Sequence, residues 1–396
     1  MFSAKRFFKL LFHIAVYGFA VIGFVFFAVF IALRMHWFDV SGTIDPRSTE
    51  LAQQATEIIA IKKNIASTKS AEDTTSTNAL ADMNDTARIL ETKIALRKKI
   101  ICSIKELKII SESDARTIHT IAFSGASDTL TIKMIYALQR NILDQEQFLK
   151  TVEHCEKNET INNEAEFLGT FGTNETKPSL FAWKNDEEWA ALQEAVAKDK
   201  DVILQAAKLA DIEPRLLVGN LIGEQTRLFH SQRQLFKQYF EPLKILGNST
   251  IISLGIMGIK PPTAQAVEQN LKNSSSPFYL GKKYEHLLNY PSGVNEETER
   301  FNRLTDAKNS YFCYLYGALY IKQLLTQWEK ASYDIQHRPE IAGTLYNVGF
   351  AQSKPKTNPQ VGGSSISAGG REYSFGMLVY EFYYSGALLD VFPFQT

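Results

Sequence analysis

Cysteine is scarce in this chain, and the residue spacings that build metal sites are missing. The 396 residues include three cysteines, Cys102, Cys155 and Cys313. They are too few and too scattered for a zinc site, and no histidine stands in an HExxH pattern. We therefore predict no metal and no cofactor. If the chain leaves the cytosol, Cys102 and Cys155 can form a disulfide, although unpaired buried thiols fit the sequence at least as well.

An excess of charge of either sign is also missing. Forty-three basic residues balance 43 acidic ones. Nucleic-acid-binding proteins usually carry a basic surface, so this balance predicts that the chain has no nucleic-acid partner. The composition, with 45% hydrophobic and 22% charged residues, is typical of globular proteins. The length allows about two domains.

One long segment without charged residues lies near the N-terminus. Residues 1–9 contain three basic residues, and the 24 residues from Leu10 to Leu33 contain no Asp, Glu, Lys or Arg. A helix of this length spans a hydrocarbon core of about 30 Å. The segment is too long for the apolar region of a cleavable signal and ends in bulky residues. We predict an uncleaved, single-pass transmembrane anchor at 10–33, with residues 1–9 in the cytoplasm and the rest of the chain outside it.

The rest of the sequence predicts an all-α protein in two parts. Apolar residues recur at helical spacing over 46–64, 87–112 and 129–156, so residues 45–160 are predicted to form a helical stalk domain. Residues 65–86 are rich in Ser, Thr, Ala and Asp and predict a flexible break within it. A linker at 161–180, rich in Asn, Thr and Gly, then precedes a second, mainly helical domain at 181–396.

The helix predicted at residues 212–228 carries a carboxylate on an apolar face. Pro214 suits its first turn. Four residues recur at spacings of four, three and four and therefore share one face: Leu217, Leu221, Glu224 and Leu228. Burial disfavours the charged form of a carboxylate, so such a glutamate can hold a proton near neutral pH and act as a general acid. The alternative is a glutamate at the edge of the stripe that reaches solvent or pairs with Arg227.

Taken in order, four segments resemble the transglycosylase domain of lytic transglycosylases and goose-type lysozymes. ILQAAKLADIEPRLLVGNLIGEQ resembles the two helices that deliver the family's catalytic glutamate. SLGIMGIKPPTAQAVE is similar to its glycine-leucine-methionine-glutamine segment, LYGALYIKQLL to its glycine-x-x-tyrosine-leucine helix, and LYNVG to its tyrosine-asparagine-x-glycine element. The resemblance covers roughly residues 195–350 and implies a lysozyme-like α domain.

The resemblance also implies roles for individual residues and a reaction. Glu224 would be the catalytic acid/base, and five residues would bind the sugar near the scissile bond: Gly255, Ile256, Met257, Tyr346 and Asn347. The enzymes of this family cleave the β-1,4 bond between N-acetylmuramic acid and N-acetylglucosamine in peptidoglycan. The C6 hydroxyl of the muramoyl residue serves as the nucleophile, so no second carboxylate is needed, unlike the usual two-carboxylate scheme. This function implies a bacterial inner-membrane location with the catalytic domain in the periplasm.

The sequence departs from the family at two positions that flank these motifs. Gln225 follows the glutamate where the family commonly has serine, and Gly258 follows the methionine where it commonly has glutamine. Two alternative hypotheses are therefore kept: an inactive protein that binds glycan strands, and an envelope-assembly scaffold that binds a protein partner through its stalk.

Other candidate residues are given structural interpretations. Glu241 and Glu268 could supply a second carboxylate, but we expect each on a solvated helix face. We interpret four tyrosines at 311–320 as core residues rather than as a platform for sugars. Thr263 is expected to cap the helix that begins AQAVE. The segment from Gly362 to Thr396 predicts a closing aromatic helix on the second domain, with an exposed patch for glycan or a partner as the alternative.

Overall fold

The computed structural model describes residues 43–69, 79–158, 177–229, 255–306 and 308–395, with a few helical positions between residues 13 and 24. These residues are mainly helical, which confirms the predicted class. The predicted anchor at 10–33 falls mostly outside the described ranges. In the part of the chain that the structure describes, no helix is both long enough and apolar enough to cross a bilayer.

The N-terminal region is a bundle of helices preceded by a short strand. Its elements are β1 (Thr43–Ile44), α1 (Ser48–Lys69), α2 (Ala79–Ile110), α3 (Glu112–Phe123), α4 (Asp128–Gln139) and α5 (Gln145–Asn158). Ile100, Ile104 and Leu107 of α2 recur at helical spacing and are fully buried. They lie in one core with Ile118 of α3 and Ile132 of α4.

The helix bounds in this bundle differ from the prediction. The predicted break at 65–86 is partly wrong, because α1 continues to Lys69 and α2 already begins at Ala79. The single helix predicted at 129–156 is two helices. Asp144 lies in the turn between them and caps the start of α5, because its carboxylate accepts from the backbone N–H of Gln147.

Helix α3 was not predicted from the sequence. Ser111 has an extended backbone and interrupts the helical path after α2. Its hydroxyl donates to the buried carboxylate of Asp114, 3.0 Å away. Asp114 lies in the first turn of α3, where a negative charge complements the helix dipole. A serine followed by acidic residues was the available signal for this helix start.

A disulfide connects the second and the last helix of the bundle. Cys102 of α2 and Cys155 of α5 are bonded, with their Cα atoms 5.8 Å apart. The sequence allowed either a disulfide between these cysteines or unpaired buried thiols, and the structure has the disulfide. Cys313 is buried and takes no part in it.

Among its described residues, the second region consists mainly of helices, with three short strands. Its helices are α6 (Glu187–Lys198), α7 (Lys200–Ala210), α8 (Pro214–Phe229), α9 (Pro261–Lys272), α10 (Glu296–Thr305), α11 (Tyr311–Lys330), α12 (Pro339–Val348) and α13 (Phe375–Tyr384). Its strands are β2 (Gly362–Gly363), β3 (Ser365–Ala368) and β4 (Arg371–Ser374). Short 3-10 turns span Ala182–Asn185, Lys282–Tyr284 and Phe350–Gln352.

Helix α8 lies at the centre of this region. It begins at Pro214, as predicted, and packs against α7, α11, α12 and α13. Gly219 and Gly223 let α13 come close, since a Cβ at Gly219 would lie 3.2 Å from Val379 and one at Gly223 would lie 2.8 Å from the Phe375 ring. The fully buried Arg215 donates to backbone carbonyls at the end of α13, among them that of Tyr383 at 2.7 Å. The C-terminal helix is thus fixed on α8.

Two expectations about helix starts and strands need correction. Helix α9 begins at Pro261 and not after Thr263, because prolines fit the first helical positions, where no N–H is needed. Strands occur where only loop and helix were expected. Strands β3 and β4 form a hairpin, and β2 pairs antiparallel with β1, joining Thr43 to Gly363 and Ile44 to Gly362.

The two regions share buried polar contacts. Asn141, which follows α4, donates to Glu381 of α13 at 3.0 Å and accepts from Arg371 of β4 at 2.5 Å. Trp183 donates to the other oxygen of Glu381 at 3.2 Å. The predicted domain bounds at 45–160 and 181–396 stay a prediction, and residues 161–176 of the predicted linker lie outside the described residues.

Candidate functional site

Glu224 lies in the third turn of α8 with a side chain that is almost fully buried. The apolar face predicted for this helix is present, because Leu217 and Leu221 are buried against the core. The Glu224 side chain is 3% exposed. A carboxylate at such a depth requires polar partners, since burial without them is costly.

Arg227, one turn after Glu224, supplies the opposite charge. Its guanidinium donates from Nη2 to Oε2 of Glu224. The Arg227 side chain is 13% exposed, and its Nε is buried. The predicted burial of Glu224 on the apolar face is therefore present, and so is the alternative pairing with Arg227. The alternative in which Glu224 reaches solvent is wrong, because its side chain is buried.

A tight turn at residues 255–258 packs directly against the carboxylate. Gly255 and Gly258 both have left-handed backbones, with φ of +64° and +62°. The backbone N–H of Gly258 donates to the Gly255 carbonyl at 3.2 Å. A Cβ at Gly258 would lie 2.2 Å from Oε2 of Glu224. Only glycine leaves room for the carboxylate, which gives a physical reason for the residue at this departure from the family motif.

Two side chains hold consecutive carbonyls of this turn. Gln225 donates from Nε2 to the Ile256 carbonyl at 2.5 Å. The Tyr346 hydroxyl donates to the Met257 carbonyl at 2.6 Å. The hydroxyl has one proton, and that proton is used in this bond. Tyr346 thus positions the turn that faces Glu224, whereas the resemblance implied that it binds the sugar near the scissile bond.

The surroundings of Tyr346 are aromatic, and the residue is buried. Burial and the nearby charge of Glu224 raise the pKa of the Tyr346 hydroxyl well above its usual value. The Phe375 ring of α13 stacks on Tyr346 at a centroid distance of 6.2 Å. Tyr320 of α11 donates to the Tyr346 backbone carbonyl at 3.1 Å. Tyr346 is therefore a neutral hydrogen-bond donor across the physiological pH range.

Asn347 has a different role from its neighbour. Its Oδ1 accepts from the backbone N–H and the hydroxyl of Ser364, at 2.8 and 3.0 Å. These bonds fix the short segment between β2 and β3. The turn that holds the predicted substrate-binding residues Gly255, Ile256 and Met257 contacts Glu224 through Gly258, and Tyr346 is bonded to the same turn. Met257 itself is fully buried. The Asn347 side chain is instead bonded to the segment between the strands.

The expectation of a solvated Glu268 is wrong. Its carboxylate is buried and accepts from Arg300 at 2.8 and 2.6 Å and from the hydroxyls of Tyr290 and Tyr316. Burial raises the pKa of Glu268, but these donors outweigh it and hold the pKa below its ordinary value. The Glu268 carboxylate thus joins α9 to α10 and α11. Because it is ionised and its oxygens accept several hydrogen bonds, it has no proton to donate as a general acid. Glu241 lies outside the described residues.

The four tyrosines of α11 that were predicted to be core residues lie in or at the edge of the core. Tyr314, Tyr316 and Tyr320 of α11 are buried, and Tyr311 is partly buried. The C-terminal aromatic segment forms the predicted closing helix α13, whose residues from Phe375 to Tyr384 are all buried.

Some neighbours of Glu224 could not be recognised from the sequence. Gln225 donates to the Ile256 carbonyl of the turn, and Phe375 stacks on Tyr346. Both contacts join segments that are distant in the sequence. Arg227 had a local signal, because residues three apart on a helix face each other. Residues 230–254, which connect α8 to the turn, lie outside the described residues.

Among the described residues, no cluster of three or more His, Cys, Asp or Glu side chains is arranged to hold a metal ion. No protein-family model matches the chain, and no curated protein and no solved structure matches it significantly. The site must therefore be interpreted from its own geometry.

Proposed function

We propose that this protein is a membrane-anchored lytic transglycosylase that cleaves the β-1,4 bond between N-acetylmuramic acid and N-acetylglucosamine in peptidoglycan. One observation supports the proposal most strongly. The turn with Gly255, Ile256 and Met257, chosen from the sequence as sugar-binding, packs on the buried carboxyl group of Glu224, chosen as the acid. Tyr346 is bonded to the same turn.

The proposed chemistry needs one carboxyl group. Protonated Glu224 gives its proton to the bridging oxygen as the bond from C1 to that oxygen breaks. The C6 hydroxyl oxygen of the same muramoyl residue then bonds to C1, and its proton returns to the Glu224 carboxylate. The products are a 1,6-anhydro end and a free hydroxyl on the leaving sugar. Glu268 has no part, because Arg300 keeps it ionised and its oxygens are occupied.

The proposal includes the location of the protein. Residues 10–33 would anchor it in the bacterial inner membrane, and the region that carries Glu224 would act on glycan strands in the periplasm. A disulfide between Cys102 and Cys155 fits an oxidising compartment outside the cytosol. An envelope protein that binds the N-terminal helices stays a prediction.

A second candidate function is glycan binding without cleavage. The contact between Arg227 and Glu224 favours it, because a guanidinium stabilises the charged form of the carboxylate, and a charged carboxylate has no proton to donate. A protein with this pair permanently closed would bind peptidoglycan but not cut it.

The decisive experiment uses the full-length protein with purified sacculi. We expect wild type to release muropeptides with 1,6-anhydro ends, detected by mass spectrometry, and Glu224→Gln to lower release at least about 100-fold, as expected for a lost general acid. Glu329→Gln, at an exposed position of α11, is the matched control and should cleave like wild type. Equal and negligible release by all three proteins, with sacculus binding retained, would support the binding function instead. Reducing ends in place of anhydro ends would indicate hydrolysis.

A further inference from the structure

Asp45 is a buried acidic residue in the turn between β1 and α1, and its side chain is 3% exposed. One carboxylate oxygen accepts from the backbone N–H and from Nε of Arg47, at 2.9 and 3.2 Å. The other accepts from the hydroxyl of Ser374 at 2.8 Å. Burial would raise the pKa of Asp45, but Arg47 and Ser374 outweigh it and hold the pKa below its ordinary value. An ionised side chain near the N-terminus thus binds a residue 329 positions later.

Ser374, the partner of Asp45, is the N-cap of α13. Its hydroxyl oxygen accepts from the backbone N–H of Met377 at 3.3 Å, which satisfies one of the N–H groups that a helix start leaves free. The proton of the same hydroxyl is used in the bond to Asp45, so the carboxylate fixes the orientation of the cap. A negative charge is also favourable at this end of a helix. Asp45 therefore holds the start of α13.

The strand before Asp45 brings the same elements together. Strand β1 pairs with β2, and the Gly362 N–H of β2 donates to the Thr344 hydroxyl of α12 at 3.0 Å. A Cβ at Gly363 would lie 3.0 Å from the Cβ of Phe375, the first residue of α13. The Phe375 N–H donates to the Ser364 carbonyl, just after β2, at 3.0 Å. Strand β2 is thus enclosed by β1, α12 and the first turn of α13.

Phe375 connects the start of α13 to the proposed acid. Its ring packs so closely on α8 that a Cβ at Gly223 would lie 2.8 Å from it, and Gly223 directly precedes Glu224. The same ring stacks on Tyr346, whose hydroxyl donates to the Met257 carbonyl at 2.6 Å. Displacement of this ring therefore disturbs both the helix that carries the acid and the turn that packs on it.

We propose that Asp45 is a positioning residue of the proposed active site. By holding Ser374 it fixes the Phe375 ring, which supports the acid and the turn at 255–258. This inference rests on the proposed function, and it gives the strand that follows the predicted anchor a part in the site. Asp45 acts through the start of α13 and not on the substrate. A misplacement of about 1 Å can lower the rate of an enzyme about 100-fold, so such support matters for catalysis.

The first test compares the kinetics of full-length wild type, Asp45→Ala and Asp114→Asn on soluble, uncross-linked peptidoglycan strands. Asp114 is the matched control, because it is a buried aspartate that accepts from the hydroxyls of Ser111 and Ser179 at the start of α3. We expect Asp45→Ala to lower kcat for muropeptide release about tenfold and to keep KM within about twofold, because the support of the acid is lost while the sugar contacts stay. Asp114→Asn should keep both constants, at a temperature where both variants are folded.

Further variants show whether Asp45 acts through Ser374. Asp45→Asn keeps a side chain of the same shape that can bond to the Ser374 hydroxyl, and it should restore much of the kcat lost in Asp45→Ala. Ser374→Ala should lower kcat at least as much as Asp45→Ala. The double variant should match Ser374→Ala, because both changes break the same contact. Additive losses would overturn the inference. Asp45→Asn also keeps the test valid if Asp45→Ala misfolds.

Hydrogen exchange followed by mass spectrometry tests the same connection without enzymatic activity. In full-length Asp45→Ala, we expect the amides of 375–378 and of 255–258 to exchange at least about tenfold faster than in wild type, because both segments lose their support and open more often. In Asp114→Asn the two segments should exchange as in wild type.

The outcomes separate this inference from the proposed function. Release by wild type with an unchanged kcat in Asp45→Ala, or with an equal loss in Asp114→Asn, would overturn this inference alone. Faster exchange at 375–378 but not at 255–258 would also overturn it, because Asp45 would then only cap α13. Faster exchange at both segments, in a protein that releases no products, would keep the role of Asp45 in holding the turn and reject the enzyme.

Discussion

At the scale of single residues, the site depends on the absence of a side chain. Gly258 has a left-handed backbone and stands where any Cβ would overlap Oε2 of Glu224. A second left-handed glycine, Gly293, has open space around its Cβ position, with φ of +82°. Substitution of either glycine by alanine strains a left-handed backbone. Only at Gly258 does the added Cβ also overlap another atom, Oε2 of Glu224.

We expect Gly258→Ala to lower the free energy of unfolding by about 2 kcal/mol more than Gly293→Ala, because overpacking a buried site costs roughly 1–3 kcal/mol. Urea unfolding of both variants measures the difference. If the proposed function is correct, Gly258→Ala should also lose most of its muropeptide release while Gly293→Ala keeps it. Similar stability losses in the two variants would show that the contact with Glu224 is unimportant for the fold.

At the scale of elements, the N-terminal bundle is closed by a covalent bond as well as by packing. Helix α2 packs on α3, α4 and α5, and the disulfide from Cys102 to Cys155 joins its C-terminal third to the last turn of α5. The bonded residues are 53 positions apart. A bond across such a loop lowers the entropy of the unfolded chain.

Replacing Cys102 and Cys155 together by serine should lower the free energy of unfolding by about 2–4 kcal/mol. The measurement is chemical unfolding with and without dithiothreitol. The reductant should destabilise wild type by a similar amount and leave the double serine variant unaffected. A wild type that is insensitive to the reductant would contradict a disulfide that stabilises the bundle. Cys313→Ser gives the control, because that thiol lies outside the bridge.

At the scale of the whole molecule, Glu381 joins the two regions. It is fully buried on α13 and accepts from Asn141, next to α4, and from Trp183, in the turn before α6. Burial raises its pKa from 4.5 to about 7, against the opposing effects of these two donors and of Arg47 and Arg140. Tyr373 and Tyr380 also lie near it, and its charge contributes to raising the pKa of each.

This raised pKa predicts how stability depends on pH. The folded protein holds the Glu381 proton up to about pH 7, whereas the unfolded chain releases it near 4.5. The contribution to stability is therefore fully present below pH 4.5 and is lost as the pH rises through about 7. A shift of this size corresponds to the order of 3 kcal/mol.

Glu381→Gln should remove this dependence. Urea unfolding of wild type and variant at pH 5 and pH 8 should give a stability difference that changes by roughly 3 kcal/mol between the two pH values, in favour of the variant at pH 8. Glu329→Gln, at its exposed position, should run parallel to wild type. A stability difference that is the same at both pH values would mean that Glu381 does not titrate in this window.

Local patterns in the sequence account for much of the fold. The apolar spacing predicted a helix over 212–228 with Glu224 on its buried face, and the proline at 214 marked its start. These features depend on residues within a few turns of each other, so they can be recognised without the rest of the chain. The same holds for the helical class and for the closing helix at the C-terminus.

The contacts of Glu224 were decided by tertiary structure. Gly258 and Tyr346 come from two separate segments, and Phe375, which stacks on Tyr346, comes from a third. The approach of Tyr346 and Phe375 to α8 depends on the packing of α12 and α13 on it. The buried state of Glu268 and the junction at Glu381 have the same origin, since their partners are distant in the sequence. By itself the sequence determined which face of a helix such as α8 is apolar, because helical periodicity is local. Only packing decided which side chains meet, because a buried polar group takes whatever donor the neighbouring element brings within reach.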